Sequence, residues 1–296
     1  MKIIPRDARI LSISHCDLDG SVCQIILGQV YKNIKYIYTS FYRIDEILVS
    51  LDYDNYDYVF LTDISPDKPE NLELSNKIVL IDHHGTTDVL NDPSKMRFVI
   101  SDSVCASVLT KRFIEHMYGI KLSHLDKIVE LTNDYDMWHL KYPKSKFLND
   151  VMFYLYRPAK FISKFFDGRT RFTNEEITWL KKRREIFKDI YSKLEVFEFT
   201  KINGCIVQAE EFINEIADKL MNEEGYEIVV VRNTRNGRVS VRHRIEGIDV
   251  GAILKEKGWG GGHSLSAGFF STNMDDFKNK VEELETIIES RISAHV

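Results

Sequence analysis

The sequence predicts an α/β fold with a parallel-sheet domain at its N-terminal end, a helical connector and a smaller α/β domain at its C-terminal end. Short apolar runs rich in β-branched residues alternate with segments of helical periodicity, a pattern typical of a parallel sheet covered by helices. Several of these runs end abruptly in carboxylate or imidazole side chains. In an open α/β sheet, ligands collect at the carboxyl ends of the strands.

Length and composition fit a globular protein of about two domains. The chain has 296 residues, of which 44% are hydrophobic and 29% charged. No apolar stretch approaches the roughly 18 residues of a membrane span, and the first seven residues do not resemble a signal peptide. The four cysteines lack CxxC spacing, which indicates a reducing, cytoplasmic location. A net charge of -5 argues against a protein that coats nucleic acid by bulk electrostatics.

The first strand, at residues 9–14, runs directly into ligand-type side chains. His15, Asp17 and Asp19 follow it, and their period-two spacing places all three on one side of an extended segment. A helix with an apolar face opens at Gly20. One aspartate could simply cap that helix. Capping does not account for all three groups, so we interpret them as a binding site.

Two later strands end in the same way. The strand at residues 58–62 is followed by Asp63, and the apolar run at residues 77–81 is followed by Asp82, His83 and His84. Two imidazoles and a carboxylate suit divalent transition metals, with the carboxylate able to orient an imidazole. The other elements predicted for this domain are a strand at residues 35–39, a short helix from residue 44, a strand at residues 97–100, and helices at residues 103–118 and 123–132.

A fourth acidic cluster, Asp134 and Asp136, lies at the exit of the helix at residues 123–132. Beyond it, residues 141–198 are helical and charged and form the predicted connector. Thr173 and Glu176 have the spacing of a capping box for its long helix. The basic run at residues 181–184 is typical of a solvated helix face.

The C-terminal part has a different pattern. Strands are predicted at residues 205–209, 227–231 and 238–244, with a helix at residues 211–222, a hairpin turn at Asn236-Gly237 and a final helix at residues 275–292. On the strand at residues 238–244, two valines select the core face and leave Arg242 on the other, where it can bind phosphate. The glycines at 260–262 let the backbone approach an anion closely, and the amides that follow can form a nest for it.

Taken in order, these motifs resemble the DHH phosphoesterase superfamily with a C-terminal DHHA1 domain, including nanoRNase/pAp phosphatases and RecJ-like enzymes. The His-x-Asp-x-Asp-Gly segment, the strand-terminal Asp, Asp-His-His and a later Asp carry the first part of the resemblance, and Gly-Gly-Gly-His with an upstream arginine carries the second. It implies a DHH metal-binding catalytic domain at residues 1–140, a helical connector at 141–198 and a DHHA1-like substrate-binding domain at 199–296.

The resemblance also implies two divalent metal ions, Mn²⁺ with Mg²⁺ or Co²⁺ as alternatives, and Asp63 as the bridge between them. Asp134 is preferred to Asp136 for the fourth motif, and the implied ligands are His15, Asp17, Asp19, Asp63, His83 and Asp134. The implied catalytic residues are Asp82, which would orient an imidazole, and His84, which would lie beside the phosphate or the nucleophile. The implied substrate-binding residues are Arg242, Gly260, Gly261, Gly262 and His263.

The expected reaction is metal-dependent hydrolysis of a phosphoester in a nucleotide or short oligonucleotide. Two metal ions would bind the attacking water and a phosphate oxygen. So many carboxylates at one place cannot all stay ionised without cations, and the acidic cluster therefore itself indicates metal. A cyclic-dinucleotide phosphodiesterase and a non-catalytic nucleotide-binding protein on the same scaffold are the alternatives.

Overall fold

The computed structural model describes residues 3–84, 98–101 and 103–295, and it divides into two compact units, Met1–Leu180 and Lys181–Val296. The predicted strand at residues 97–100 is present from Phe98, and Arg97 lies outside the described residues. The domain boundaries at residues 140 and 198 stay a prediction, and the predicted connector contributes to both units. Among the described residues, no helix is both long and apolar enough to cross a membrane.

The first unit is built on a parallel sheet. In chain order its elements are β1 (Arg9–His15), α1 (Leu18–Gly28), β2 (Asn33–Thr39), α2 (Ile44–Ser50), β3 (Tyr58–Thr62), β4 (Ile78–Asp82), β5 (Phe98–Ile100), α3 (Ala106–Tyr118), α4 (Asp126–Asp136), α5 (Pro143–Asp150), a π-helical segment (Val151–Tyr156), α6 (Arg157–Phe165) and α7 (Asn174–Ser192), and the unit boundary falls within α7. The described strands follow the order β2-β1-β3-β4-β5, and every neighbouring pair is parallel. This confirms the predicted α/β class.

The strands of this sheet are apolar because both faces are covered. Val59, Phe60 and Leu61 of β3 are fully buried, as expected for a strand between two layers of helices. The register of the strands then determines where the candidate site residues lie. Ser14 is level with Thr62, and Thr62 is level with Ile81. The residues that follow β1, β3 and β4 therefore emerge side by side at one edge of the sheet.

The second unit contains a mixed sheet. Its elements are β6 (Val196–Glu198), β7 (Gly204–Ala209), α8 (Ile213–Asn222), β8 (Ile228–Asn233), β9 (Arg238–His243), α9 (Val250–Glu256), β10 (Gly260–His263), β11 (Ser266–Phe270) and α10 (Met274–His295). The described strands follow the order β10-β11-β9-β8-β7-β6, and among these pairs only β7 and β8 run parallel. Gly237 in the predicted hairpin has φ +71°, which suits glycine. The two β9 valines, Val239 and Val241, are buried in the core as expected.

Candidate metal centre

The loop after β1 and the residue after β3 form one half of a polar cluster at the carboxyl edge of the first sheet. The Nδ1 atom of His15 lies 2.8 Å from Oδ2 of Asp17 and 3.8 Å from Oδ2 of Asp63. One potential ligand atom from each of these three residues lies within 4.8 Å of the others. The first unit therefore brings together side chains that are 48 positions apart in the sequence.

The other half of the cluster centres on His83, directly after β4. Its Nε2 atom lies 3.3 Å from Oδ1 of Asp63 and 3.3 Å from Oδ2 of Asp136. Asp19, His83 and Asp136 form a second set whose potential ligand atoms lie within 4.8 Å of one another. Asp63 thus presents one oxygen to each half, the arrangement that a carboxylate bridging two metal ions requires.

Three polar atoms in this cluster are buried and have no hydrogen-bond partner among the described residues: Oδ2 of Asp63, Nε2 of His83 and Oδ2 of Asp136. Buried polar atoms are almost always satisfied, because an unpaired one is costly. Divalent cations bound in the two halves of the cluster would satisfy these atoms. Imidazole and carboxylate ligands suit a first-row transition ion such as Mn²⁺, so the residues present fit the metal that the resemblance implies.

The pKa shifts of the carboxylates in the cluster also indicate a metal site. Burial, followed by the charges of Asp17 and Asp19, raises the pKa of Asp63 well above its ordinary value. Burial and then the same two aspartates raise the pKa of Asp136 in the same manner. Burial also works to raise the pKa of Asp17, but His15 outweighs it and the pKa falls below the ordinary value. Without cations these carboxylates compete for ionisation, so metal binding should release protons.

Two backbone features hold the cluster in shape. Asp63 has φ +59°, a left-handed conformation that is uncommon for a residue with a side chain. Gly20 lies so close to β1 that a Cβ atom on it would be 2.2 Å from the carbonyl oxygen of His15. The glycine of the His-x-Asp-x-Asp-Gly motif is therefore required by close packing.

Asp17 and Asp19 each have a structural partner as well as a place in the cluster. Oδ1 of Asp17 accepts a hydrogen bond from the amide of Gly20 at 3.0 Å and so caps α1. The carboxylate of Asp19 accepts hydrogen bonds from the amides of Ala106 and Ser107, at 2.7 and 3.0 Å, at the start of α3. Asp17 therefore caps α1, as one aspartate was expected to do, and is also a member of the side-chain cluster.

The structure does not bring Asp134 into the cluster. Its carboxylate accepts hydrogen bonds from the amides of Lys141 and Tyr142, at 2.9 and 3.1 Å, and from the hydroxyl of Ser145 at 2.7 Å. Its oxygens thus fasten the turn after α4. Asp136, two residues further on, faces His83 instead. The geometry therefore favours Asp136 over Asp134 as the acidic residue of the fourth motif.

Asp82 orients His84 rather than His83. It accepts hydrogen bonds from Nδ1 of His84 at 2.7 Å, from the backbone amide of His83 at 2.8 Å and from the hydroxyl of Ser65. Burial would lower the pKa of His84, but Asp82 outweighs burial and the pKa is raised. The histidine pair is therefore divided: His83 faces the carboxylates, and His84 is held by Asp82.

Phe41 is a neighbour of the site that the sequence did not suggest. Its ring centroid lies 4.7 Å from that of His15 and 5.1 Å from that of His84. A single phenylalanine after a strand carries no motif, so only the tertiary structure identifies this packing.

The remaining predicted substrate residues belong to the second unit. Gly260–His263 is the strand β10, paired with β11, where an anion-binding nest was expected. A Cβ atom on Gly260 would lie 2.1 Å from the carbonyl oxygen of Gly268, whereas Gly261 has no such neighbour within 4 Å. Close strand packing thus explains Gly260, and Gly261 has space for a ligand.

The turn after β10 is tied to β9. The buried His243 has its Nε2 atom 2.8 Å from the carbonyl oxygen of Ser264. Arg242, half-buried, lies on the opposite face of β9 from Val241, as predicted. These contacts fix the position of Arg242 relative to the glycine strand.

The DHHA1 domain family matches residues 209–294. A 3',5'-cyclic-nucleotide phosphodiesterase of Helicobacter pylori is 27% identical over 154 residues, which span 44% of this chain and 44% of that protein. The chain therefore aligns with less than half of the length of this curated relative.

Two solved structures share the fold over nearly the whole chain. The pGpG-specific phosphodiesterase PggH from Vibrio cholerae has a TM-score of 0.56 at 14% identity, over 95% of this chain and 99% of that one. RecJ from Thermus thermophilus, solved in complex with Mn²⁺, also has a TM-score of 0.56 at 14% identity, over 95% of this chain and 52% of that one. At this level of identity the likeness concerns the fold.

Proposed function

We propose that this chain, whose C-terminal part matches the DHHA1 domain family, is a member of the DHH phosphoesterase superfamily and hydrolyses phosphoester bonds in nucleotides or short oligonucleotides with the help of divalent metal ions. The observation that carries the proposal is the convergence of three buried, unsatisfied polar atoms, one each on Asp63, His83 and Asp136. Among the described residues no protein group satisfies them, and two of the three are carboxylate oxygens.

Two ions would be held by overlapping sets of residues. His15, Asp17 and Asp63 would hold one, and Asp19, Asp63, His83 and Asp136 would hold the other. Mn²⁺ is favoured over Mg²⁺ because both sets contain an imidazole, and Mg²⁺ prefers oxygen ligands. When bound, such ions stabilise negative charge on a phosphate oxygen and lower the pKa of a bound water.

The protein's own groups would orient the reaction. The oxygen of the attacking water bonds to phosphorus, and the bond from phosphorus to the leaving oxygen breaks. His84, with Nδ1 bound to Asp82 and a raised pKa, would present Nε2 as the proton donor to the leaving oxygen. The proton that the water loses would pass to solvent, since the carboxylates around Asp63 would be held ionised by the metal.

Substrate recognition would use the second unit. Arg242 would bind a phosphate of the nucleotide through its planar guanidinium, and the open backbone at Gly261 would let the ligand approach closely. Gly260, Gly262 and His263 of the same strand would shape this contact. In this role Arg242 contributes to affinity more than to the chemical step.

A second candidate is the cleavage of a cyclic nucleotide. The curated relative from Helicobacter pylori is a 3',5'-cyclic-nucleotide phosphodiesterase, and it is the sequence match that favours this substrate. The chemistry is the same, since water attacks the phosphorus of a diester in both cases. The two candidates differ in the shape of the leaving group, so a substrate panel separates them.

The test combines metal binding with turnover. We expect the purified protein to bind two Mn²⁺ per chain in calorimetry and to hydrolyse a linear dinucleotide such as pGpG, with loss of activity in EDTA. The panel should include short RNA, pAp, cyclic dinucleotides, 3',5'-cyclic nucleotides and pyrophosphate.

Two variants make the result specific to the site. Asp63→Asn should remove turnover and weaken Mn²⁺ binding, whereas Asp67→Asn, a change of the same kind at an exposed position just after β3, should leave both unaltered. If Mn²⁺ binds and no member of the panel is hydrolysed, the protein is a non-catalytic nucleotide-binding or partner-binding member of the superfamily.

A further inference from the structure

Exposed aromatic side chains follow α5 in the first unit, within the π-helical segment Val151–Tyr156. Phe153 is 37% exposed and Tyr154 is 41% exposed, and their ring centroids lie 4.9 Å apart in an edge-to-face arrangement. π-Helical segments are rare and are frequent at functional sites. Two neighbouring aromatic rings on the surface also resemble the platforms on which nucleic-acid bases stack.

Arg157, the residue that ends this segment, has a strained backbone. Its φ is 64° and its ψ is 163°, a region that essentially only glycine adopts. The exposed guanidinium lies over the ring of Phe153, with its central carbon 5.3 Å from the ring centroid. Strain of this kind clusters at active sites and ligand-binding segments, and a glycine would fit the backbone better.

The packing of α6 against α1 places Arg157 at the metal-binding end of the unit. At their C-terminal ends the two helices meet, since the side-chain amide of Gln29 donates to the carbonyl oxygen of Phe166 at 2.8 Å. A Cβ atom on Gly28 would also lie 2.8 Å from the Phe166 ring. The two helices also pack against each other and are of similar length. This packing fits two helices that run in the same direction, with their N-terminal ends, Asp17 and Arg157, on the same side of the unit.

A second observation agrees with this placement. The positive charge of Arg157 acts on the side chain of Cys16. Cys16 lies between two of the candidate metal ligands, so the guanidinium is within electrostatic range of the loop after β1.

We infer that Arg157, Phe153 and Tyr154 form a nucleotide-binding surface beside the candidate metal centre, an inference that rests on the proposed function. The guanidinium would bind a phosphate of the substrate, and one of the two rings would stack on a base while the other packs against its edge. The surface gives the first unit its own recognition of a nucleotide, independent of Arg242. It favours substrates that carry a base next to the scissile phosphate over pyrophosphate.

The test uses the full chain and a fluorescently labelled linear dinucleotide, pApA. Binding is measured by fluorescence anisotropy both in EDTA and with Mn²⁺, and initial rates are measured with Mn²⁺. Arg157→Gly and Phe153→Ala should each weaken binding about tenfold and raise KM by a similar factor while kcat changes little, since stacking and phosphate contacts act on affinity. The control is Lys164→Ala, which removes an exposed positive charge from the opposite end of α6.

The melting temperature separates a binding role from a structural one. Because glycine relieves the strain, Arg157→Gly should melt at the same temperature as the parent or higher, with unchanged Mn²⁺ affinity. The inference is overturned if pApA binding survives both substitutions, if Arg157→Gly lowers the melting temperature and the Mn²⁺ affinity together, or if the parent protein does not bind pApA. If the parent binds pApA and hydrolyses nothing, the proposed function fails, and the anisotropy data still decide this inference.

Discussion

Two aspartates that are two residues apart in the sequence should respond to substitution in opposite ways. Asp134 is 3% exposed and accepts three hydrogen bonds from the turn after α4. Asp136 faces His83 and has a pKa raised by burial and neighbouring carboxylates. We expect Asp134→Ala to destabilise the protein and keep metal binding. Asp136→Asn should stabilise the metal-free protein, because it removes a repelled carboxylate, and should weaken metal binding.

The magnitudes follow from the contacts. Asp134→Ala leaves three donors without their acceptor and should cost about 3 kcal/mol, which lowers the melting temperature by roughly 9 °C for a unit of this size. At an Mn²⁺ concentration of about 100 times Kd, the metal stabilises the parent by about 2.7 kcal/mol, or roughly 8 °C. If Asp136→Asn weakens binding about tenfold, the same Mn²⁺ concentration should stabilise that variant by about 1.4 kcal/mol, or roughly 4 °C.

The assay is thermal unfolding of the parent and both variants, each in EDTA and in Mn²⁺. Asp134→Ala should melt lower in both buffers and keep the full metal-induced rise. Asp136→Asn should melt at least as high as the parent in EDTA and show about half of that rise. The reasoning is refuted if the metal-induced rise is lost in Asp134→Ala and preserved in Asp136→Asn.

Three further predictions concern other parts of the chain. Burial works to raise the pKa of Glu176, but its hydrogen bonds, first with Arg169, outweigh burial and lower the pKa to about 2. The ionised Glu176 therefore stabilises the fold above its unfolded pKa, and this stabilisation is lost as the pH falls toward 2. In urea unfolding, Glu176→Gln should lower the free energy of unfolding by about 3 kcal/mol at pH 7 and by almost nothing near pH 2. Gly20→Ala should lower the free energy of unfolding by about 2 kcal/mol and weaken Mn²⁺ binding in calorimetry, because the new methyl group would displace the backbone at His15. An unchanged Mn²⁺ affinity would contradict the close packing at this position. Arg242→Ala should raise KM about tenfold with little change in kcat in steady-state kinetics, and a fall in kcat alone would exclude a role in affinity.

Much of the fold could be predicted because it depends on local pattern. The apolar runs that became β1, β3 and β4 are buried on both faces, and such strands lack the alternation that a solvent-facing sheet imposes. The capping box at the start of α7 could also be predicted from the sequence. The amide of Thr173 donates to Glu176 at 2.7 Å, and the amide of Glu176 donates to the Thr173 hydroxyl at 3.2 Å. Both partners of such a box lie within one helical turn, so sequence spacing suffices.

The site could be predicted only in outline. Ligand-type residues at the strand ends were visible in the sequence because parallel strands bring their carboxyl ends to one edge. The choice between Asp134 and Asp136 could not be predicted, since both lie in the last turn of α4. Which of them faces the metal site depends on which one accepts hydrogen bonds from the amides of Lys141 and Tyr142. These amides lie beyond the end of α4, and no rule of sequence spacing predicts such hydrogen bonds.

The sequence by itself determined the residue types and their order: strands that end in aspartate and histidine, a glycine after the first pair of aspartates, and a second domain with an arginine strand and a glycine run. Only the tertiary structure decided which side chains converge. It turned Asp63 toward both halves of the cluster and joined Asp82 to His84. The physical reason is that the contacts of Asp63 join residues 20 and 48 positions apart and depend on a strained backbone, neither of which local propensity encodes. The contact of Asp82 with His84 is local, but Ser65, 17 positions away, also holds the carboxylate.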